Sequence, residues 1–219
     1  YVQNNCAPNN GVSAWTGPFM FTTLCNAQSG PIFENFASTP TGNTTNPSPP
    51  VCWSYAKSTG HPGYGYTYQF GTPYSTPNHF YMYNPTNATV VDKWQMLISP
   101  KLADITTNEA QVTFYARHST NGKAVVGTMS SPGDASTFNP IDTIDILTNV
   151  YQYFDVVIDA AAGYNGTDEF VAIALMGESS YGYLYLDDIT IQDKPNCFPS
   201  AIYSATNVSQ TSVTLNWNT

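Results

Sequence analysis

Along most of the chain apolar and polar residues alternate in short runs, the period of a strand with one face turned inward. Such runs lie at 32–36, 51–56, 64–70, 79–83, 94–98, 110–118, 123–130, 141–146, 151–158, 168–176 and 182–192. Turn-formers separate them: Pro47-Ser48-Pro49-Pro50, His61-Pro62-Gly63, Asn84-Pro85 and Ser131-Pro132-Gly133-Asp134. Asn121-Gly122 sits between two good strands and has the sequence of a type I′ hairpin. No stretch has a convincing helical period. The pattern predicts an all-β fold, a two-sheet jelly-roll sandwich over residues 26–194. Segment 38–50, a Thr/Asn/Pro loop, is too polar to pack and reads as a flexible flap.

One strand breaks the alternation. In Tyr183-Leu184-Tyr185-Leu186-Asp187-Asp188-Ile189-Thr190-Ile191, Leu184 and Leu186 share one face and Ile189 and Ile191 the other. The apolar side changes phase at the aspartates, as at a bulge or where both faces are covered. At least one carboxylate is then partly buried. With 6 Lys+Arg against 15 Asp+Glu, a basic partner is not readily at hand. A hard cation such as calcium is the natural counter-ion for a buried, ionised carboxylate.

Composition narrows the setting. Only 10% of residues are charged, and Asn, Thr, Ser and Gln supply the remaining polar surface. With 16 Pro and 15 Gly interrupting the apolar runs, the chain reads as an extracellular β protein, secreted or on a cell surface. A net charge of −9 argues against nucleic acid and anionic membranes, which need clustered Lys and Arg. No apolar run is long enough for a membrane-spanning helix, so membrane insertion is not expected. Tyr1 opens no signal peptide, so the chain is expected to be a mature or trimmed segment. The four cysteines lack the paired spacing of a zinc site, and disulfides are the better reading. Cys25–Cys52 is the favoured pair, because the two bracket the entrance to one domain. Cys6 and Cys197 are left open between pairing together, pairing outside the chain and remaining free.

Both ends resemble parts of fibronectin type III modules. Ser13-Ala14-Trp15-Thr16-Gly17-Pro18 leading into Phe19-Met20-Phe21-Thr22-Thr23 is similar to the last two strands of such a module. Cys197-Phe198-Pro199 followed by Val208 to Trp217 resembles the first two strands of another, with Trp217 as its core tryptophan. The expected organisation is therefore 1–25, 26–194 and 195–219, with half a module at each end.

The central residues resemble MAM-like and cleaved-adhesin jelly rolls of large secreted bacterial proteins. The resemblance rests on Phe33-Glu34-Asn35-Phe36, Cys52-Trp53, Trp94-Gln95-Met96-Leu97-Ile98-Ser99-Pro100-Lys101-Leu102 and Leu186-Asp187-Asp188-Ile189, in that order. It implies a non-catalytic domain serving adhesion or spacing in a surface or filament protein. Its partners would be a surface glycan or protein, or neighbouring subunits. It also implies structural calcium held by Glu34, Asp188 or Asp187, and Asp92, with Asn35 and backbone carbonyls completing the set. The neutral 38–50 loop departs from the aspartate-rich loops of many relatives and leaves fewer ligands. The alternative role is a carbohydrate-binding accessory module beside a hydrolase or peptidase.

Tyr64, Tyr66, Tyr68 and Phe70 fall on one face of a strand, and Tyr81 and Tyr83 on one face of another. Exposed rings in such rows can stack on sugars. The more ordinary use is core between the sheets, with hydroxyls at its edge. His61, His79 and His118 are too scattered for zinc. Asp142, Asp145, Asp155 and Asp159 lie on separate strands and read as solvated edge charges rather than paired catalytic acids. No nucleophile elbow or Cys/His arrangement occurs, so the sequence points away from an enzyme. Sequons at Asn43, Asn87, Asn165 and Asn207, and the O-glycosylation-like Asp142-Thr143-Ile144, are weak signals.

Overall fold

A computed structural model describes residues 25–85, 93–176, 181–195, 202–206, 209 and 212–217. The elements are β1 (Ile32–Glu34), β2 (Ser54–Lys57), β3 (Tyr64–Tyr68), β4 (His79–Asn84), β5 (Trp94–Ile98), the single-turn α1 (Ile105–Asn108) and β6 (Ala110–His118). There follow β7 (Gly122–Met129), β8 (Phe138–Ile146), β9 (Gln152–Ile158), β10 (Phe170–Met176), β11 (Gly182–Asp193), β12 (Ile202–Thr206) and β13 (Thr214–Trp217). The fold is an all-β sandwich of two antiparallel sheets. One runs β3-β4-β11-β6-β9 and also takes β1 against β11; the other runs β2-β5-β10-β7-β8. Strands β12 and β13 form a separate antiparallel ribbon, with Ala205 opposite Leu215.

Between the sheets lies one apolar core. Phe80 and Met82 on β4, Val112 and Phe114 on β6, Leu97 on β5, Val126 on β7 and Ile173 and Leu175 on β10 all face it. Each such burial contributes about 1.5–3 kcal/mol. Strand β11 supplies Leu184, Leu186, Ile189 and Ile191, all within this core. The two pairs that fall out of phase in the sequence thus point the same way, because the register against β6 slips between Asp187 and Thr190. Asp188 takes φ 44° at this bulge. The bulge is also a seam: ahead of it β11 pairs with β4, and beyond it with β1.

The five-stranded sheet carries a second apolar layer on its outer side. Met96, Ile98, Val125, Met129, Ala172 and Ala174 are fully buried there, with Trp94, Phe138 and Phe170 packed against them. Strands buried on both faces read as continuous apolar runs, as in Trp94–Ile98 and Phe170–Met176. Edge strand β8 is polar instead, and Pro140 stands where its register to β7 slips, a position that needs no ladder N–H. Gly127 is required at that point, since a Cβ would lie 2.3 Å from the Asn139 carbonyl oxygen.

Several expectations are corrected. Asn121-Gly122 forms no hairpin: β6 and β7 lie in opposite sheets, and 119–121 crosses between them. Side-chain and backbone bonds hold this crossing to β11; the Ser119 N–H donates to the Tyr183 carbonyl and the Tyr183 N–H to Ser119 Oγ. Segment 38–50 is not a free flap. Gly42 N–H donates to the Thr67 carbonyl, Thr67 N–H to the Pro47 carbonyl and Thr67 Oγ1 to the Ser48 carbonyl, lacing the loop onto β3. Strand β1 stops at Glu34 because Phe36 turns to φ 58°, and β2 starts only after Cys52 at φ 70°. Cys25 and Cys52 are joined in a disulfide. Cys6, Cys197, Asp92, Asn87, Asn207 and the 1–24 half-module lie outside the described residues.

Candidate functional site

At the seam, Glu34 stands opposite Ile189, one residue along from Asp188. Burial raises the Glu34 pKa, opposed by the Phe36 N–H that donates to Oε1 at 2.5 Å. Asp188 Oδ1 is buried without a hydrogen-bond partner among the described residues. Asp187 behaves differently. It is completely buried on the outward side of β11, and its two oxygens accept from the backbone N–H groups of Ser75 and Asp188, each at 2.9 Å. Burial pushes its pKa up to about 7, with those amides pulling the other way. Its carboxylate thus ties the β3–β4 loop to β11. Of these carboxylates, Glu34 also accepts an amide, through Oε1, and only the Asp188 Oδ1 is left without a partner among the described residues. Asp187 is already occupied by amides, and no group of three acidic, histidine or cysteine side chains converges among the described residues.

The tyrosines lie on the far side of the same sheet from the core. On β3 the inward positions are Gly65 and Thr67, and the outward ones are Tyr64, Tyr66 and Tyr68. A side chain at Gly65 would meet the Tyr55 ring and Met82 at 2.8 Å, so the small residues must face in. The rings are therefore not core between the sheets. They continue as a sheet-wide layer: Tyr66 meets Tyr81 edge-on at 4.6 Å, Tyr64 lies 5.1 Å from Tyr83, and Tyr83 lies 4.7 Å from Tyr183. Tyr81 is the buried centre of this layer, and burial raises its phenol pKa. Tyr64, Tyr66, Tyr68 and Tyr83 are half-buried, and Phe70 at one end is 61% exposed.

Residues that sequence reasoning passed over complete this face. Tyr183 and Tyr185 come from β11, Tyr115 and Arg117 from β6, and Tyr74 and Tyr151 from loops. Tyr74 stacks on Tyr115 at 3.7 Å and 15°. The Arg117 guanidinium lies 3.7 Å over the Tyr185 ring and 5.1 Å from that of Tyr151. Two signals could have found them: the Tyr-x-Tyr alternation beside the aspartates, and Arg117 as the one arginine of the chain. His79 lies beneath the layer, its Nδ1 2.8 Å from the Tyr151 hydroxyl. Burial, and then the Arg117 charge, lower its pKa to about 3.

The other sequence candidates stay apart. His61 and His118 engage the neighbouring amides of Gly63 and Thr120. Asp155 accepts from Gln111, while Asp145 and Asp159 pair with Lys123 and Lys194. These acids are separately engaged and face no common site.

The architecture has counterparts among solved structures. The sandwich is similar in fold to cleaved adhesin domains of Lys-gingipain. Against the K2 domain the TM-score is 0.54 at 16% identity, covering 74% of this chain and 99% of that one. The K1 domain, from Porphyromonas gingivalis W83, gives 0.53 at 17% identity, with 75% and 99% covered. Similarity also extends to Clostridium thermocellum endo-1,4-β-D-xylanase 10B, CBM22-1 and GH10 modules complexed with xylohexaose. There the TM-score is 0.50 at 13% identity, covering 80% of this chain and 30% of that one. No family model and no curated protein matches the sequence.

Proposed function

We propose that residues 26–194 form a non-catalytic adhesion domain of a large secreted bacterial surface or filament protein, binding a glycan through the tyrosine face. One observation carries the reading: a continuous layer of tyrosine rings, half-buried around the buried Tyr81, covers the solvent side of the β3-β4-β11 sheet, on the side opposite the core. Rings fixed by their neighbours offer flat apolar area at little entropic cost, which suits stacking on sugars. The disulfide fits an oxidising, extracellular setting. The similarity in fold to cleaved adhesin domains supports this role. In a second reading the same face serves as a carbohydrate-binding accessory module of a hydrolase or peptidase; the two differ in what the parent protein carries. Glu34 and Asp188 would hold structural calcium at the β1–β11 seam, locking strand ends rather than doing chemistry.

A glycan array tests the proposal. Binding that drops at least tenfold in Tyr66→Ala and Tyr83→Ala, with the fold retained, supports it. Silence on glycans combined with self-association or binding to a protein surface would replace the ligand with a protein. Turnover of a glycan or peptide by the isolated chain would overturn the non-catalytic assignment.

A further inference from the structure

Arg117 is the chain's one arginine and is only 6% exposed. Its Nη1 donates to Asn149 Oδ1 at 2.6 Å, and its Nη2 to the Gly71 carbonyl. Its Nε is buried without an acceptor among the described residues. No carboxylate there lies within 4.0 Å of it; the ion pairs use lysines. Asp187, on the same face of the neighbouring strand, directs both oxygens to backbone amides. A guanidinium taken out of water needs a counter-charge or full hydrogen bonding, and stacking on two rings replaces only part of that. Of its five donors, two make hydrogen bonds to an amide and a carbonyl among the described residues, and the Tyr151 and Tyr185 side chains lie beside the others without offering a negative charge.

This guanidinium lines an open cleft of about 410 Å³, with Thr72, Tyr74, Asn149, Val150 and Tyr151 around it. Tyr74 is 47% exposed although one face of its ring lies on Tyr115. The cleft thus joins a ring wall, a hydroxyl, an amide and a cation lacking a carboxylate partner. We propose that it is an acidic subsite of the glycan face, with Arg117 holding the carboxylate of a uronate sugar and Tyr74 stacking on its ring. The assignment rests on the glycan reading above and narrows it. A net charge of −9 repels a densely anionic polymer, and one guanidinium matches one carboxylate. The ligand class is therefore a mainly neutral polysaccharide bearing isolated uronates.

Calorimetric titration of the full 219-residue chain tests this with three β-1,4-linked oligosaccharides: neutral, carrying one hexuronate branch, and wholly hexuronate. The singly acidic one binds at least tenfold more tightly than the neutral one. It also binds more tightly than the polyacid. Reducing its carboxyl to the alcohol abolishes the advantage. Tyr74→Ala, at an exposed loop position that leaves the fold intact, abolishes it too, and Arg117→Gln does so if it folds. Equal affinity for neutral and acidic ligands would overturn the acidic subsite and leave the glycan reading standing. Equal binding of an O-sulfated analogue would overturn the carboxylate assignment, and an advantage that persists in Tyr74→Ala would overturn the placement. Binding to none of the three would overturn the acidic subsite, while the glycan reading itself stands or falls with the array.

Discussion

The two sheets of the sandwich finish their outer faces in opposite ways. On the five-stranded sheet, Met96, Ile98, Val125 and Met129 point away from the main core yet are fully buried beneath Trp94, Phe138 and Phe170. On the six-stranded sheet the outward positions of β3, β4 and the start of β11 carry tyrosines, half-exposed around the buried Tyr81, with Arg117, His79 and Asp187 set beneath them. The first face contributes stability by removing aliphatic area from water. The second retains solvent contact and polar groups, which a purely structural layer would not need. Stability and recognition are divided between the two faces, and variants should separate them.

The largest effect is expected on the aliphatic side. Met96→Ala removes a fully buried side chain and should cost about 2–5 kcal/mol, read from urea denaturation. Tyr66→Ala on the other face removes a half-buried ring and should cost less than Met96→Ala, while weakening glycan binding at least tenfold. Similar stability losses for the two would erase the distinction.

Acid should destabilise the fold through its buried histidines, His61, His118 and, under the tyrosine face, His79. An unfolded histidine titrates near 6.5, whereas folded His79 is held down to about 3. Between pH 6.5 and 4.5 the unfolded chain takes up a proton that the folded one refuses. Stability attributable to His79 therefore falls with pH, by about 2–3 kcal/mol over that window. Asp187 acts in the reverse sense: its pKa is raised to about 7, so the folded state gains protons first as pH falls. Comparing wild type with His79→Gln at both pH values cancels that contribution. The variant should show the shallower acid slope, and equal slopes would show that His79 is accessible to water.

How much of this could be read from the sequence depends on what each residue's neighbours decide. Strand spans were legible almost to the residue, both in the continuous apolar run of Trp94–Ile98 and in the period-two alternation of Ala110–His118. The phase break at Asp187-Asp188 foretold a real bulge, because an out-of-phase apolar pair can rejoin one core only by slipping register. Sheet membership was not legible: Asn121-Gly122 favours a hairpin locally, but β6 and β7 each find longer partners in opposite sheets. Nor was the direction of the tyrosine row. Tyr-Gly-Tyr-Thr-Tyr alternates large and small, and only the Tyr55 ring and Met82 crowding Gly65 decide which set faces in. Arg117 acquires its meaning wholly from distant loops at Gly71 and Asn149.

The smallest expected effect concerns the seam that borders the tyrosine face. If Glu34 and Asp188 hold calcium, free ion at three times its dissociation constant stabilises the folded state by about 0.8 kcal/mol. Chelation should then lower the melting temperature, and Asp188→Asn should lower it similarly while making it insensitive to chelator. Asp187→Asn should act otherwise. Its carboxylate accepts two backbone amides and an asparagine oxygen can accept only one set, so the variant weakens the tie to the β3–β4 loop that presents Tyr74 and keeps its chelator response. Identical melting with and without chelator in the wild type would remove calcium from the seam. The orphaned Asp188 oxygen would then require a different partner, while the loop tie through Asp187 and the division between the two faces would stand.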